Sequence, residues 1–358
     1  MSTATLRYAE SATPALSHDV TLKAADGERM HVACGTDVDV VTAAADAGLV
    51  LPSMCRKGTC GACHAHVVAG EYELDSHSSD VLGPTDEGKG AVLLCRTRPK
   101  GSLTIELPYD SSRILSGAVP VREAEIVSLE EVAAATVRLV LSLGPDAEGG
   151  LGAQFEPGQF VQLEIPGESE RRANSLANVA NWDGVVELLI KRQPGGWFSS
   201  YLEKRAKVGD RLVVHGPQGA FGLRETGLRP RWFIAGGTGL SPLLSMLRRM
   251  AEWQEPHETR LYFGVNTSAE VFGVAELDAL RAQLPGFDYE IRVWRADGDW
   301  TGAVGTPVDG LRRDLATATK RPDLYVCGPP RLIDATFETA AAHGLDEHHV
   351  FAERFLPT

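Results

Sequence analysis

The 358-residue chain has no run of eighteen or more apolar residues, so no transmembrane helix is expected. Its first residues lack a basic start followed by an apolar core, so we expect no secretion signal. Acidic residues outnumber basic ones by 48 to 35, and the net charge of -13 argues against a nucleic-acid partner, which would require a basic surface. Cysteine is scarce. Four of the six cysteines share one motif, which favours a reducing cytoplasm over a disulfide scaffold.

That cysteine motif is the most specific signal in the sequence. Four residues separate the first two thiols, two separate the next pair, and the fourth follows later on an apolar segment: Cys55, Cys60, Cys63 and Cys95. This is the plant-type spacing for a 2Fe-2S cluster. Zinc is the competing metal, but structural zinc sites favour two compact Cys-x-x-Cys pairs and only one is present. Gly58 and Gly61 can adopt positive φ angles and let backbone N–H groups approach the sulfurs.

Changes in residue pattern predict an arm and three domains, because the chain is too long for one ordinary core. We expect a loose N-terminal arm over residues 1–18 and a small α+β domain over 19–110. A β-barrel domain is expected over 119–228 and an α/β domain over 229–358. The first two folded domains would be joined by a flexible linker near residues 109–118.

Local patterns define the elements of the first domain. Asp26-Gly27 lies between two alternating segments and predicts a hairpin. Apolar residues at helical spacing predict a short helix over 39–48. The other elements expected here are a turn with a short helix, a strand that delivers Cys95, and a closing strand: residues 71–82, 92–94 and 103–107.

The pattern changes twice in the rest of the chain. Valine and leucine first recur every second residue, with Gly-Pro and Pro-Gly between segments, which predicts an antiparallel barrel. From Arg231 onward, short apolar strands alternate with helices, which predicts a parallel sheet. The strands are expected at 121–129, 137–143, 160–165, 232–235, 260–265 and 324–327, and the helices at 242–253 and 276–283.

A glycine-rich turn follows the strand at 232–235 and opens the next helix. It contains Gly236, Gly237, Thr238 and Gly239. Glycines there permit a tight turn that points backbone N–H groups and the helix N-terminus at a dinucleotide pyrophosphate. Glycine turns between strand and helix are also common packing devices, so the motif alone leaves both interpretations open.

Taken in order, these motifs resemble a flavoprotein of the ferredoxin-NADP⁺-reductase type with a plant-type ferredoxin fused in front. The resemblance is closest to the reductase components of soluble di-iron monooxygenases that act on methane, propane, alkenes or phenol, and it implies a β-grasp fold for the first domain. Further motifs carry it: Arg171-Arg172-Ala173-Asn174-Ser175, Gly196-Trp197-Phe198-Ser199, Gly216-Pro217-Gln218-Gly219-Ala220-Phe221, Cys327-Gly328-Pro329-Pro330 and Phe351-Ala352-Glu353-Arg354-Phe355.

The resemblance also implies roles for individual residues. Arg172 would bond the FAD pyrophosphate, and Ser175 would bond the flavin ring. Ser199 would either help to bind a phosphate or cap its helix. Cys327 would border the nicotinamide or simply be a buried cysteine at a strand end. The expected catalytic residues are Ser175, Cys327 and Glu353. The expected cofactor-binding residues are Arg172, Asn174, Ser175, Gly196, Trp197, Phe198, Ser199, Gly236, Gly237, Thr238, Gly239, Cys327, Gly328, Pro329 and Phe355.

Two positions bear on how the cofactors bind. Asn174 stands where the family has a tyrosine that covers the flavin, so we expect weaker or more exchangeable FAD, partly offset if Trp197 or another aromatic covers the ring. The segment 265–270 has no Arg or Lys to meet a ribose phosphate, so NADH is favoured over NADPH.

The expected function is NADH-dependent electron transfer through FAD and the 2Fe-2S cluster to the hydroxylase of a di-iron monooxygenase. NADH delivers two electrons together and the cluster carries one, which explains why all three sites share a chain. A pair of Glu-x-x-His motifs is absent, so a separate oxygenase partner is expected to dock transiently through the ferredoxin domain. The alternatives are the reductase of a Rieske aromatic-ring dioxygenase and, less favoured, a non-enzymatic redox carrier or sensor.

Overall fold

The computed structural model describes residues 17–355. The arm predicted for 1–18 lies outside the described residues, except for Ser17 and His18, which begin the first strand. The described residues form two compact units, which are divided between Gly117 and Ala118. Within the described range, no helix is long and apolar enough to cross a membrane.

The first unit is built on a five-stranded sheet in the order β2-β1-β8-β4-β6. β1 pairs in parallel with β8, and the other neighbours in this sheet are antiparallel. The elements are β1 (Ser17–Lys23), β2 (Arg29–Gly35), α1 (Val40–Asp46), β3 (Leu49–Val50), β4 (His64–Ala69), β5 (Tyr72–Leu74), α2 (Pro84–Glu87), β6 (Ala91–Leu93), β7 (Thr97–Pro99), β8 (Leu103–Glu106) and β9 (Leu115–Ser116).

Two local predictions for this unit are confirmed. β1 and β2 form the hairpin expected at Asp26-Gly27, and Gly27 has the positive φ of 88° that the turn requires. Helix α1 begins after Asp39, whose carboxylate accepts a 3.0 Å hydrogen bond from the Thr42 N–H. Four apolar residues of α1 are buried, so the helix packs against the sheet through one face.

Three elements differ from expectation because of pairing between distant residues. The segment expected to hold a turn and short helix contains β5, which pairs antiparallel with β7, and the helix α2 begins only at Pro84. The strand before Cys95 ends at Leu93, and Cys95 itself lies in a 3₁₀ turn, Leu94–Arg96. The segment predicted as a linker carries β9, which pairs with β3, so it extends the first unit.

The second unit begins with an antiparallel barrel, as predicted. Its strand order is β13-β12-β15-β10-β11-β14, and an antiparallel bridge between Leu176 and Leu188 links the two outer strands. The inward side chains form one buried core, to which the helix α3 contributes Phe198, Tyr201 and Leu202. The elements are β10 (Val121–Ala133), β11 (Thr136–Leu143), β12 (Phe160–Glu164), β13 (Arg171–Ser175), β14 (Val185–Lys191), α3 (Trp197–Lys204) and β15 (Arg211–Gln218).

The rest of the second unit is a parallel sheet with helices on both faces, also as predicted. The strand order is β19-β18-β17-β16-β20-β21. α4 and α5 pack on one face, and α6 and α7 pack on the other. The elements are β16 (Arg231–Gly236), α4 (Leu240–Glu252), β17 (Thr259–Val265), α5 (Val274–Gln283), β18 (Phe287–Val293), β19 (Ala303–Val304), α6 (Pro307–Leu315), β20 (Asp323–Gly328), α7 (Pro330–Ala342) and β21 (Val350–Arg354).

The strand order of this sheet locates a crevice. From β16 the chain moves outward through β17 to β18 in one direction, and later returns to place β20 on the other side of β16. In open parallel sheets, ligands bind at the carboxyl ends of the strands where the order reverses. Gly236 ends β16 and Gly328 ends β20, so both predicted turns lie at this reversal.

Candidate functional site

In the cysteine loop, residues 55–63, backbone N–H groups point at the sulfur atoms. The N–H groups of Lys57 and Thr59 donate to Cys55 Sγ at 3.3 and 3.4 Å, and the Cys55 N–H donates to Cys60 Sγ at 3.5 Å. Gly58 and Gly61 have φ angles of 73° and 75°, as the sequence predicted. Such hydrogen bonds stabilise negative charge on thiolate sulfur, which is the form that binds metal.

The four thiols come together as two pairs. A hydrogen bond from Cys60 lowers the pKa of Cys55 to about 4, and one from Cys63 lowers the pKa of Cys95. Within residues 17–355, no three His, Cys, Asp or Glu side chains surround the position of a single metal ion. In a 2Fe-2S cluster held by four thiolates, each iron takes two of them, so a pairwise donor set fits this cluster.

Residues 75–78 and Arg96 pack against the cysteine loop. A Cβ atom at Gly58 would lie 2.7 Å from His77 Cβ and 2.9 Å from Arg96 Cγ, so only glycine fits there. The Ser78 N–H donates to the Gly58 carbonyl at 3.0 Å. Asp75 pairs with Arg96 at 3.5 Å, which fixes the residue next to Cys95. Sequence reasoning missed these supports, because no motif marks them.

The three predicted catalytic residues are brought together from three strands of the second unit. Ser175 Oγ at the end of β13 donates to Glu353 Oε2 at 3.1 Å. Cys327 Sγ lies 3.9 Å from the same oxygen, and Cys327 is the direct neighbour of Glu353 in the pairing of β20 with β21. The site therefore joins the barrel to the carboxyl ends of the parallel strands.

The surroundings of Glu353 and Cys327 control whether these two side chains are protonated. Desolvation raises the pKa of Glu353 to about 7, although the hydrogen bonds from Ser175 and Cys327 oppose that shift. Burial raises the pKa of Cys327 well above its ordinary value, so the thiol stays protonated. Cys327 is thus a buried cysteine at a strand end that also contacts Glu353, and both interpretations of it describe part of the structure.

The glycine-rich turn divides into packing positions and an open position. A Cβ at Gly239 would lie 2.2 Å from the Cys327 carbonyl oxygen, and one at Gly236 would lie 2.9 Å from Pro329 Cδ. These two glycines let the turn pack against the end of β20 and the residues that follow it. Gly237 has a φ of 54° and open space around its Cβ position. Gly237–Gly239 form a 3₁₀ turn that includes Thr238 and leads into α4 without a side-chain cap. Its free N–H groups suit a phosphate.

β13 carries a cation that suits a pyrophosphate. The Arg172 side chain is half-buried, and burial lowers its pKa. Its guanidinium has no hydrogen bond or ion pair with any residue of the described range 17–355. A desolvated, unpaired guanidinium is stabilised by a bound anion, so this position fits the FAD pyrophosphate. Asn174 Nδ2 donates to the Arg172 carbonyl at 3.1 Å.

The N-terminus of α3 is the second candidate phosphate position in the barrel. Gly196 precedes the helix and makes no side-chain cap. Ser199 Oγ accepts a 2.8 Å hydrogen bond from the Gln193 N–H, so it closes the preceding loop and does not cap the helix. The Trp197 indole donates to Glu168, which also pairs with Arg205 at 2.9 Å. Glu168 therefore fixes Trp197 to the turn before β13, a contact that sequence reasoning missed. Phe198 is buried in the barrel core.

The segment after Glu353 returns to the reversal of the sheet. The Phe355 N–H donates to the Gly328 carbonyl at 2.9 Å. Pro329 precedes α7 as its N-cap. Phe355 is therefore attached to the turn after Cys327, as expected if Phe355 and Cys327 border the same ligand.

Three segments of the chain match known protein families. Residues 24–100 match the family of 2Fe-2S iron-sulfur cluster binding domains. Residues 123–222 match oxidoreductase FAD-binding domains, and residues 233–338 match oxidoreductase NAD-binding domains. The predicted fold class and the three predicted cofactors are confirmed.

Individual relatives extend over most of the chain. Methane monooxygenase component C from Methylosinus trichosporium is 41% identical over 272 residues, 76% of this chain and 79% of the relative. The anthranilate 1,2-dioxygenase electron transfer component from Acinetobacter baylyi is 33% identical, over 95% of this chain and 98% of the relative. The crystal structure of an Amycolatopsis cytochrome P450 reductase has a TM-score of 0.71 at 28% identity, over 94% of this chain and 99% of that one.

Proposed function

Because this chain belongs to the family of oxygenase reductase components that join a 2Fe-2S domain to FAD- and NAD-binding oxidoreductase domains, we propose that it supplies electrons from NADH to the hydroxylase of a soluble di-iron monooxygenase. It is an NADH-dependent electron-transfer reductase. The observation that carries the proposal is the meeting of Ser175, Cys327 and Glu353 at the sheet reversal in a chain that also holds paired thiols.

Each cofactor has its own residues in this proposal. Cys55, Cys60, Cys63 and Cys95 hold the cluster. Arg172 and the N-terminus of α3 bind the FAD phosphates. The turn from Gly236 to Gly239 binds the NADH pyrophosphate. FAD held by Arg172 and α3 would supply acceptance of an electron pair, and a 2Fe-2S cluster held by the four thiolates would supply one-electron transfer.

Ser175, Cys327 and Glu353 control protons at the reacting end of the site. Glu353 changes protonation near pH 7, close to working pH, which suits a group that gives and takes protons. Ser175 Oγ, hydrogen-bonded to Glu353, can relay a proton between that carboxylate and a ligand beside β13. Protonated Cys327 donates to the same Glu353 oxygen at 3.9 Å and so favours the carboxylate form.

The experiment is an anaerobic titration of the purified protein with NADH, followed by its visible spectrum. Flavin and iron-sulfur bands should lose intensity together. A protein that holds no FAD, or whose bands do not respond to NADH, would instead be a redox carrier or sensor and would refute the enzyme proposal.

The choice of oxygenase is the finer part of the proposal. The higher identity to a methane monooxygenase component supports the di-iron class, with docking through the ferredoxin domain. The second candidate is an aromatic-ring dioxygenase of the Rieske class, favoured by the dioxygenase relative that matches 95% of the chain. Turnover should be measured with a hydroxylase of each class. Higher NADH-dependent turnover with the Rieske dioxygenase would reverse the assignment.

The location we propose is the cytoplasm. All six cysteines are free thiols, as a reducing compartment maintains them. Protein that carries its cluster when isolated from the cytoplasmic fraction would support this placement, and recovery from another fraction would refute it.

A further inference from the structure

The carboxyl end of β17 lies at the position where dinucleotide-binding sheets distinguish one coenzyme from another. β17 lies beside β16, and Gly264 pairs with Gly236 of the glycine-rich turn. In dinucleotide-binding sheets, an acidic side chain near the end of this neighbouring strand bonds the ribose 2′-hydroxyl, whereas an arginine there accommodates a 2′-phosphate. Residues 266–270 follow β17, and they contain no arginine or lysine.

The fold brings a second segment to the same place. The Trp294 N–H donates to the Val265 carbonyl at 3.0 Å, and the Arg295 N–H donates to the Asn266 carbonyl at 2.8 Å. Ser268 Oγ donates to the carboxylate of Asp297. The loop after β18 therefore adds one cation and one anion to the end of β17. The sequence around residue 266 gives no sign of either.

The charged side chains at this position differ in whether they already have an ion-pair partner. Glu270, the acid of the β17 loop, pairs with Lys191 of the barrel at 2.6 Å. The Arg295 guanidinium lies over the Trp294 ring, 4.9 Å from its centroid, and pairs with no acid among the described residues. Asp297 is exposed and makes its contact with Ser268. A ligand that contacts Ser268 would therefore lie beside the Asp297 carboxylate.

We propose that Asp297, oriented by Ser268, selects NADH over NADPH by accepting a hydrogen bond from the ribose 2′-hydroxyl and repelling a 2′-phosphate. Arg295 is the cation that would bind the 2′-phosphate once the Asp297 charge is removed. This inference rests on the proposed function, in which a reduced nicotinamide dinucleotide is the electron donor.

The test measures binding of coenzyme fragments to the full chain by calorimetry. The probes are adenosine 5′-monophosphate and adenosine 2′,5′-bisphosphate, which differ only in the 2′-phosphate. In Asp297→Asn, the ratio of the two affinities should shift toward the bisphosphate by at least about tenfold, as expected for the loss of a charge about 4 Å from a phosphate in partly solvated protein. The ratio of kcat/KM values for NADPH and NADH should shift in the same direction.

Two further variants make the test specific. Asp299→Asn removes the same charge from an exposed residue two positions away and should leave the ratio unchanged. Arg295→Gln combined with Asp297→Asn should keep only part of the gain in bisphosphate affinity, because the repulsion is removed but the cation that would bind the 2′-phosphate is also lost. Asp297→Ser should repeat the result of Asp297→Asn, and circular dichroism checks that each variant is folded.

An unchanged ratio in folded Asp297→Asn and Asp297→Ser, or an equal shift in Asp299→Asn, would overturn the inference while NADH oxidation by the unaltered protein upholds the proposed function. If the unaltered protein binds neither fragment and does not oxidise NADH, both fail.

Discussion

The cysteine loop and the site around Glu353 are assembled in different ways. Three of the four thiols lie between Cys55 and Cys63, and the backbone of the same loop supplies the N–H groups that approach the sulfurs. Ser175, Cys327 and Glu353 instead come from three strands of two folded layers, and only the completed fold brings them within hydrogen-bonding distance. A local site depends on its loop, whereas a composite site depends on how closely distant strands pack.

The largest expected effect comes from replacing one cysteine of the local site, which should abolish that site alone. Cys60→Ala should lose essentially all bound iron, because two thiolates are needed for each iron. NADH oxidation with a dye that accepts electrons from FAD should continue, since the second compact unit has its own cores. Iron and sulfide analysis together with dye reduction measure both. Cys34→Ala, at a buried cysteine outside the motif, is the control and should keep its iron. Loss of dye reduction in Cys60→Ala would show that the two sites are not independent.

A large effect is also expected at the packing of the composite site. Gly239→Ala places a methyl group 2.2 Å from the Cys327 carbonyl oxygen. This oxygen belongs to the backbone of β20, which is paired on both sides and cannot easily shift away. We expect the free energy of unfolding of the second unit to fall by about 3 kcal/mol, toward the upper end for an overpacked core. Thermal unfolding measures this.

Gly237→Ala is the matched control for that change. Its Cβ would meet open space, so the cost should be about 1 kcal/mol, from the positive φ of 54° alone. Its main effect should be a higher KM for NADH, because the methyl group would enter the space offered to the coenzyme. Equal destabilisation by the two variants would contradict the division of the turn into packing and binding positions.

A moderate effect is expected from the charge of the composite site. The pKa of Glu353 is raised from 4.5 to about 7, so between these values the folded state holds a proton that the unfolded chain has lost. Its contribution to stability is therefore present at acidic pH and disappears as pH rises from about 4.5 through about 7. Glu353→Gln should flatten this dependence and remove a step near pH 7 from dye reduction. Urea unfolding and initial rates across this range measure both.

Glu347→Gln is the control for the preceding change, because this exposed carboxyl lies outside the site. It should leave both pH profiles unchanged. A step near pH 7 that survives in Glu353→Gln would assign the titration to another group.

The smallest expected effect concerns the flavin. Asn174→Tyr should bind FAD more tightly by roughly threefold to tenfold, because a stacked aromatic pair contributes about 0.5–1.5 kcal/mol beyond its buried area. Equilibrium dialysis measures the affinity, and Asn174→Ala separates the added ring from loss of the amide contact to Arg172. Unchanged or weaker binding by the tyrosine variant would show that another side chain already covers the flavin.

The same contrast explains what could be predicted from the sequence. The hairpin at Gly27, helix α1 and the alternation of strands with helices are set by residues close in sequence, and these predictions were confirmed. β5 was missed because its partner is β7, which lies beyond α2. The contact of Asp297 with Ser268 was not predicted, because only the pairing of β17 with β18 brings the two loops together. Ser175, Cys327 and Glu353 were found through family motifs, since no spacing relates them.

Of the four thiols Cys55, Cys60, Cys63 and Cys95, only that of Cys55 is partly exposed to solvent. Dissolved oxidants therefore reach this sulfur before the other three whenever the protein is empty of iron, and an oxidised sulfur no longer binds metal. Preparations exposed to air should accumulate chains oxidised at Cys55. A thiol reductant then has to be added before iron and sulfide can rebuild the cluster.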